Sequence, residues 1–203
     1  MRRFRRGLIL VAVLTLGAAT VAFAGSGGGD RDDRRGKHRG GHAWHPDRGG
    51  ERLAVVRLRT ADGDRVGKVW LRERRRDGGV VVFARVRDMP PGFHGFHIHT
   101  TGECEPPGFV SAGGHFNPSD ADHGAHAGDL PSLLVNEDGR GMLATVTDRF
   151  SLSDLRDADG SAVMVHSGRD NYANIPARYG GPDQETLNTG DAGSRLACGV
   201  VRG

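Results

Sequence analysis

From Glu51 onward the chain never sustains a helical period, and that narrows what it can fold into. It runs in short apolar or alternating segments separated by turn residues. Candidate strands are Leu53 to Thr60, Val66 to Glu73, Val80 to Val86, Gly92 to His99, Ser132 to Asn136, Met142 to Thr147, Ala162 to His166 and Leu196 to Val201. Ala61-Asp62-Gly63-Asp64, Asp77-Gly78-Gly79 and Glu137-Asp138-Gly139 are turn signals, because Asp and Gly accept the backbone angles a reversal needs. Ser151-Leu152-Ser153-Asp154-Leu155 offers one short helical turn at most. About eight short strands with tight turns predict an all-β fold, an eight-stranded antiparallel Greek-key β-barrel or sandwich. Two long stretches, Thr100 to Leu130 and Ser167 to Arg195, fit no strand. Loops of that length inside a compact domain are uncommon and usually carry function, so the chemistry is expected there.

The flank before this domain follows a different logic. Residues 1–24 place four arginines ahead of an apolar run that ends in Ala22-Phe23-Ala24. That is the pattern of a cleaved export signal. Thr and Gly interrupt the apolar run and no basic flank directly follows it, so a permanent membrane span is the weaker reading. Residues 25–50 are rich in Gly, Arg and Asp, with Trp44 the only large apolar residue. Such a segment cannot bury enough apolar surface to offset its ordering entropy and is expected to be a disordered tail. His38, His42 and His45 could hold metal ions loosely there, or simply belong to a solvated linker. Residues 51–203 are left as the folded domain. The formal charge of +3 rests on the leader, since removing its four arginines leaves the chain one unit negative. That balance gives no support to a nucleic-acid partner. The two cysteines, Cys104 and Cys198, would favour pairing outside the cytoplasm, with two buried thiols as the alternative. No cysteine follows the expected cleavage site, so a lipid anchor there is not expected.

The histidines carry the strongest chemical signal. Of ten, seven fall between His94 and His166. In His97-Ile98-His99 the two imidazoles lie two residues apart, so on a strand they share one face while Ile98 turns the other way. His94 precedes His97 by three residues and falls on the opposite face. The first long stretch adds His115, His123, His126 and Asp129, and His166 closes a later apolar strand. Three or four imidazoles without a carboxylate suit copper, whereas three imidazoles and one carboxylate suit tetrahedral zinc. Seven residues fill two such shells if one imidazole bridges through both ring nitrogens.

These motifs resemble the copper/zinc superoxide dismutases, specifically their bacterial exported branch. The matching segments are GFHGFHIH (92–99), Cys104, SAGGHFNP (111–118), His123, HAGDLP (126–131), MVH (164–166), Asp170 and GDAGSRLACGV (190–200). They occur in the family's order across roughly residues 50–201. The resemblance implies a copper site of His97, His99, His115 and His166, and a zinc site of His115, His123, His126 and Asp129, with His115 bridging. It makes Asp170 the carboxylate that links copper and zinc ligands, and Arg195 the cation at the channel mouth. It pairs Cys104 with Cys198, and it leaves His94 as a structural hydrogen-bonding residue. One departure concerns the zinc side, where His123-Gly124-Ala125-His126 is shorter than the family's usual segment.

The implied function is disproportionation of superoxide to dioxygen and hydrogen peroxide, with copper and zinc as cofactors. It would serve antioxidant defence outside the cytoplasm, in a periplasm, cell wall or medium. The alternative, motivated by the histidine-containing tail, is an exported copper-binding or copper-buffering protein on the same fold without significant turnover. The expected partners are superoxide and, at most, a second copy of the chain, as monomer or homodimer. Neither nucleic acid nor a stable membrane span after processing is expected.

Overall fold

A computed structural model describes residues 53–74 and 78–202 of the chain. The expected signal (1–24) and tail (25–50) lie outside the described residues, as does Asp77 of the second turn.

The first three strands form a meander. β1 (Leu53–Arg59) pairs antiparallel with β2 (Arg65–Glu73), and β2 pairs with β3 (Val80–Val86). The β1–β2 reversal closes through Gly63 N to Thr60 O at 3.0 Å, with Gly63 at φ +88°, a conformation glycine adopts without strain. A register shift between Leu58 and Arg59 sets one extra residue in β2. That bulge turns Val66 inward although Lys68, two residues on, faces solvent. Val69 and Leu71 bury fully on the inner face.

Gly92 to His99, expected as one strand, is two. β4 (Gly92–His94) pairs with β6 (Leu133–Val135), and β5 (Phe96–His99) pairs with β8 (Ser161–His166). Gly95 is the break. Its N–H donates to Gly168 O at 2.8 Å and its carbonyl accepts from His166 N at 2.8 Å. A Cβ there would sit 2.6 Å from that of Ala192, so only glycine lets the chain cross at this point. With β7 (Gly141–Thr147) and β9 (Arg195–Val201) the sheet therefore has nine strands, where eight were expected. Its order is β4-β6-β7-β3-β2-β1-β9-β8-β5 and every pairing is antiparallel. Strands β4 and β5 are neighbours in sequence but stand at opposite ends of that order. The expected all-β antiparallel architecture holds.

One helix was not foreseen. α1 (Gln184–Thr189) lies in the second long stretch. Its local signals are Asp183, whose carboxylate accepts from Thr186 N at 2.9 Å, and Gly190 in the left-handed conformation at its end. Six residues are too few to display a period. The turn anticipated near Ser151 to Leu155 is a single 3-10 turn at Asp154–Arg156.

The main core fills the inside of the curved sheet with Val56, Leu58, Leu71, Val82, Phe96, Ile98, Leu133, Leu152, Val163 and Val165, among others. Each fully buried aliphatic side chain stabilises the fold by about 1.5–3 kcal/mol. β8 is buried on both faces. Val163 and Val165 point into this core, while Ala162 and Met164 join a second cluster with Phe109, Ala112 and Cys198 beneath the first long loop. Among the described residues, no helix is long and apolar enough to cross a membrane.

Candidate metal centre

The site lies on the loop-covered outer face of β5 and β8. Because β5 alternates, Ile98 enters the core and His97 and His99 face outward, opposite Met164 and Ala162 of β8. His166 ends β8 on the same face. The first loop runs back along β5: Ile98 N donates to Gly128 O at 2.9 Å, and Phe116 N donates to Ile98 O at 2.8 Å. That return brings His115 beside His99 and Asp129 beside His97 in isolated β-bridges.

Ligand-capable atoms gather in three overlapping groups, each within 4.8 Å: His97, His99, His115 and His166; His115, His123, His126 and Asp129; and His97, His123 and Asp170. All are buried. The hydrogen bonds behind each ring determine which nitrogen faces its group. His99 Nδ1 donates to Gly113 O at 2.9 Å and His166 Nδ1 donates to Gly193 O at 3.0 Å, so both present Nε2. Those two Nε2 atoms stand 3.3 Å apart. His97 Nε2 donates to Asp170 Oδ2 at 2.7 Å and His123 Nε2 to Asp170 Oδ1 at 2.8 Å, leaving Nδ1 inward in each. Buried His97 Nδ1 and His123 Nδ1 have no hydrogen-bond partner. A buried nitrogen without a partner is costly, and a cation would satisfy it.

On the other side, Asp129 Oδ1 lies 3.0 Å from His115 Nδ1, 3.2 Å from His123 Nδ1 and 3.3 Å from His126 Nδ1. Four donors about 2.0–2.1 Å from a tetrahedral ion stand roughly 3.3 Å apart, so this set has the dimensions such an ion requires. The short His123–His126 segment is accommodated by backbone donors. Gly124 N and His126 N donate to Asp129 Oδ2 at 2.7 and 3.1 Å, which turns Oδ1 toward the imidazoles. Arg149 Nη1 braces the same turn from outside, reaching Gly124 O and His126 O at 3.1 Å each.

Electrostatics divide the two sides. Burial keeps His97 neutral, its pKa lowered to about 4 against the opposing Asp170 hydrogen bond. Burial likewise lowers His166 to about 3 and holds His99 well below its usual value. For His123, burial alone would lower the value, but the adjoining carboxylates of Asp129 and Asp170 raise it to about 9. Asp129 and Asp170 both titrate below the usual carboxylate range, since hydrogen bonds from the histidines outweigh their burial. A set of neutral imidazoles beside a set with a permanent carboxylate matches the preferences of copper and of zinc respectively.

A cleft of about 900 Å³ opens over His99, His115 and His166, with Arg195 in its wall. Arg195 donates through Nη1 to Phe109 O at 2.5 Å and through Nη2 to Gly113 O at 2.7 Å, the same carbonyl that orients His99. The Cys104–Cys198 disulfide, with Cα atoms 5.7 Å apart, ties this loop to β9 three residues beyond Arg195. His94 stays outside the groups, its ring nitrogens 2.7 Å from His166 O and 2.8 Å from Pro90 O. Sequence reasoning did not reach the carbonyls of Gly113 and Gly193, the brace from Arg149, or Tyr172. The Tyr172 ring stacks at 6.5 Å on His123, and Ser132 N donates to its hydroxyl at 2.7 Å. Backbone carbonyls leave no side-chain signature, and one arginine among many does not stand out.

Residues 65–201 match the family model described as copper/zinc superoxide dismutase (SODC). A Cu-Zn superoxide dismutase of Mycolicibacterium paratuberculosis is 48% identical over 130 residues, 56% of this chain and 57% of that protein. The chain thus spans little more than half the length of the mycobacterial relatives it matches. Cu-Zn superoxide dismutase 2 of Aquifex aeolicus is 35% identical over 161 residues, 73% of this chain and 86% of that protein. Among solved structures, a SOD-like protein from Bacillus subtilis superposes with a TM-score of 0.62 at 34% identity, over 73% of this chain and 97% of that one.

Proposed function

The chain belongs to the copper/zinc superoxide dismutase family, and from that premise we propose that it converts two superoxide ions and two protons to dioxygen and hydrogen peroxide. His97 Nδ1, with Nε2 of His99, His115 and His166, would hold copper; Nδ1 of His115, His123 and His126, with Asp129 Oδ1, would hold zinc. Copper supplies the one-electron redox cycle and zinc a fixed, redox-silent charge.

The chain's own residues do the rest. Asp170 accepts from His97 and His123 at once, fixing both tautomers and coupling the two sides. His115 turns Nδ1 toward Asp129, so Nε2, whenever it is not holding copper, would take up a proton and pass it to the peroxide formed from the second superoxide. Arg195 offers its guanidinium to the small anion beside His99. Steering of an anion by such a cation, for which this enzyme family is a standard example, raises encounter rates. The carrying observation is the pair of donor groups meeting at His115 beneath a cleft that Arg195 lines. An open cleft with a cation beside the copper side supports turnover over copper storage.

The Cys104–Cys198 bond supports an oxidising compartment. With it we assign residues 1–24 to an export signal, 25–50 to a polar tail and 51–203 to the enzyme domain, working outside the cytoplasm as monomer or homodimer. Metal analysis of the purified mature chain, followed by a superoxide-consumption assay, tests the reading. Bound copper and zinc with rapid consumption are expected. A copper-loaded protein without activity, or activity indifferent to His99→Ala, would overturn it.

A further inference from the structure

The outer face of β1, β2 and β3 carries a feature that the metal centre does not use. Strand register sets Arg57 directly opposite Lys68, and Lys68 directly opposite Arg85. All three are exposed, and among the described residues none has an ion-pair or hydrogen-bond partner. Toward the end of the sheet Arg59 stands opposite Arg65, and Arg87 Nη2 donates to Arg65 O at 3.4 Å. The acids nearby lie at the margin: Asp62 and Asp64 in the β1–β2 turn, Asp88, which pairs with Arg87 at 3.3 Å, and Glu103 and Glu105 on either side of Cys104. Like charges directly opposite on adjacent strands destabilise a sheet. The ladder therefore opposes folding unless something anionic covers it.

The ladder also leads into a groove. Beside Arg57 a cavity of about 420 Å³ opens between β1, β9 and the disulfide loop. Arg57, Arg59 and Arg202 rim it, over Val55, Phe109 and the Cys104–Cys198 bond. Adjacent strands lie about 4.8 Å apart, so the ladder presents its cations at a spacing comparable to the length of one sugar ring.

We infer that this face binds a linear acidic polysaccharide, whose sulfate or carboxylate groups meet Arg85, Lys68 and Arg57 in turn and whose chain ends against the groove. Single-stranded nucleic acid is the other polyanion that the charge would attract, but it is held largely by ring faces open to base stacking. Trp70 and Phe83, the rings on this face, are half-buried and pack on each other at 5.5 Å. Duplex DNA is read by an element that enters a groove, and this surface is a sheet with none. The inference is independent of the superoxide reading.

The test uses the full metal-loaded chain without its leader, a heparin oligosaccharide as probe, and a single-stranded oligonucleotide of matched charge beside it. Heparin should bind more tightly than the oligonucleotide. The variant Arg57→Gln/Lys68→Gln/Arg85→Gln should bind heparin about tenfold or more weakly, its slope of log K against log salt lower by about 2 for three lost ionic contacts. Arg57→Lys/Arg85→Lys should retain binding. Both variants should melt no lower than the parent and consume superoxide at its rate, since none of these residues lines the metal cleft. Undiminished binding in the glutamine variant would put the site in the basic tail and overturn the inference. Tighter binding of the oligonucleotide, or no heparin binding by the parent at physiological salt, would overturn it as well.

Discussion

Replacing Gly190 with alanine should damage the metal centre without altering a ligand. Gly190 ends α1 at φ 61°, ψ 20°. A Cβ built there falls inside the contact radius of both Asp170 Oδ1 and His123 Nε2. Those two atoms make the 2.8 Å hydrogen bond that joins the second loop to the first. Two costs combine: about 1–2 kcal/mol for a non-glycine residue in the left-handed region, and about 1.5–3 kcal/mol for the displaced charge-assisted hydrogen bond. A loss of about 2.5–5 kcal/mol would lower the melting point of a domain this size by roughly 5–20 °C. Asp170 also holds His97, so the change reaches both sides, and loss of such an orienting partner weakens metal affinity about 10–100-fold. Gly181→Ala is the matched control, for Gly181 lies in the same loop at φ +73° with nothing within 4 Å of its Cβ position. It should show only the conformational cost. Calorimetry of the metal-free protein and zinc competition against a chromophoric chelator measure the two effects. If Gly190→Ala melts and binds zinc as Gly181→Ala does, the Asp170 bridge is not what organises the site.

Three further outcomes are expected. Arg195→Leu should lower kcat/KM for superoxide about tenfold and flatten its ionic-strength dependence, with Arg195→Lys intermediate; stopped-flow traces at two salt concentrations decide it. Cys104→Ser/Cys198→Ser opens a loop of 94 residues, which should cost about 4–5 kcal/mol in urea unfolding. It should also reduce activity, because Arg195 leans on carbonyls of the released loop; full stability with the bond absent would contradict this. The metal-free protein should be most stable near pH 6.5. Burial holds His97 at about 4 and His166 at about 3, so their contribution is complete above 6.5 and is lost as pH falls toward those values. His123, raised to about 9, contributes in the opposite sense, fully below 6.5 and lost as pH rises through 9. Each group changes stability by about 1.4 kcal/mol per pH unit across its window, so the acid limb is the steeper. A flat profile of melting point against pH would refute these assignments.

Strand β1 was legible because its burial alternates cleanly. In β1, Ala54, Val56 and Leu58 are buried between more exposed neighbours, and the sequence pattern reads the same way. The division of Gly92 to His99 was not, because a glycine between two β-prone segments reads as a continuous strand. What breaks it is Gly168 and Ala192, more than seventy residues downstream. The histidine set stood out by spacing and by resemblance, whereas the ring nitrogen each one offers depends on distant backbone oxygens. Helix α1 is too short to show a period and is held by its ends, Asp183 and Gly190.

The ends of the strand order give the metal side a further role. β5 has β8 on one side only; its other edge is covered by loop segments 114–116 and 128–130, which donate to or accept from Phe96, Ile98 and Thr100. Those same segments contain His115 and Asp129. An uncovered β-edge invites pairing with another chain, so whatever loosens the zinc-side turn also exposes a sticky border four residues long. In this protein, resistance to aggregation and retention of zinc would then be one property, and a chelator should work as a slow precipitant before it works as a denaturant.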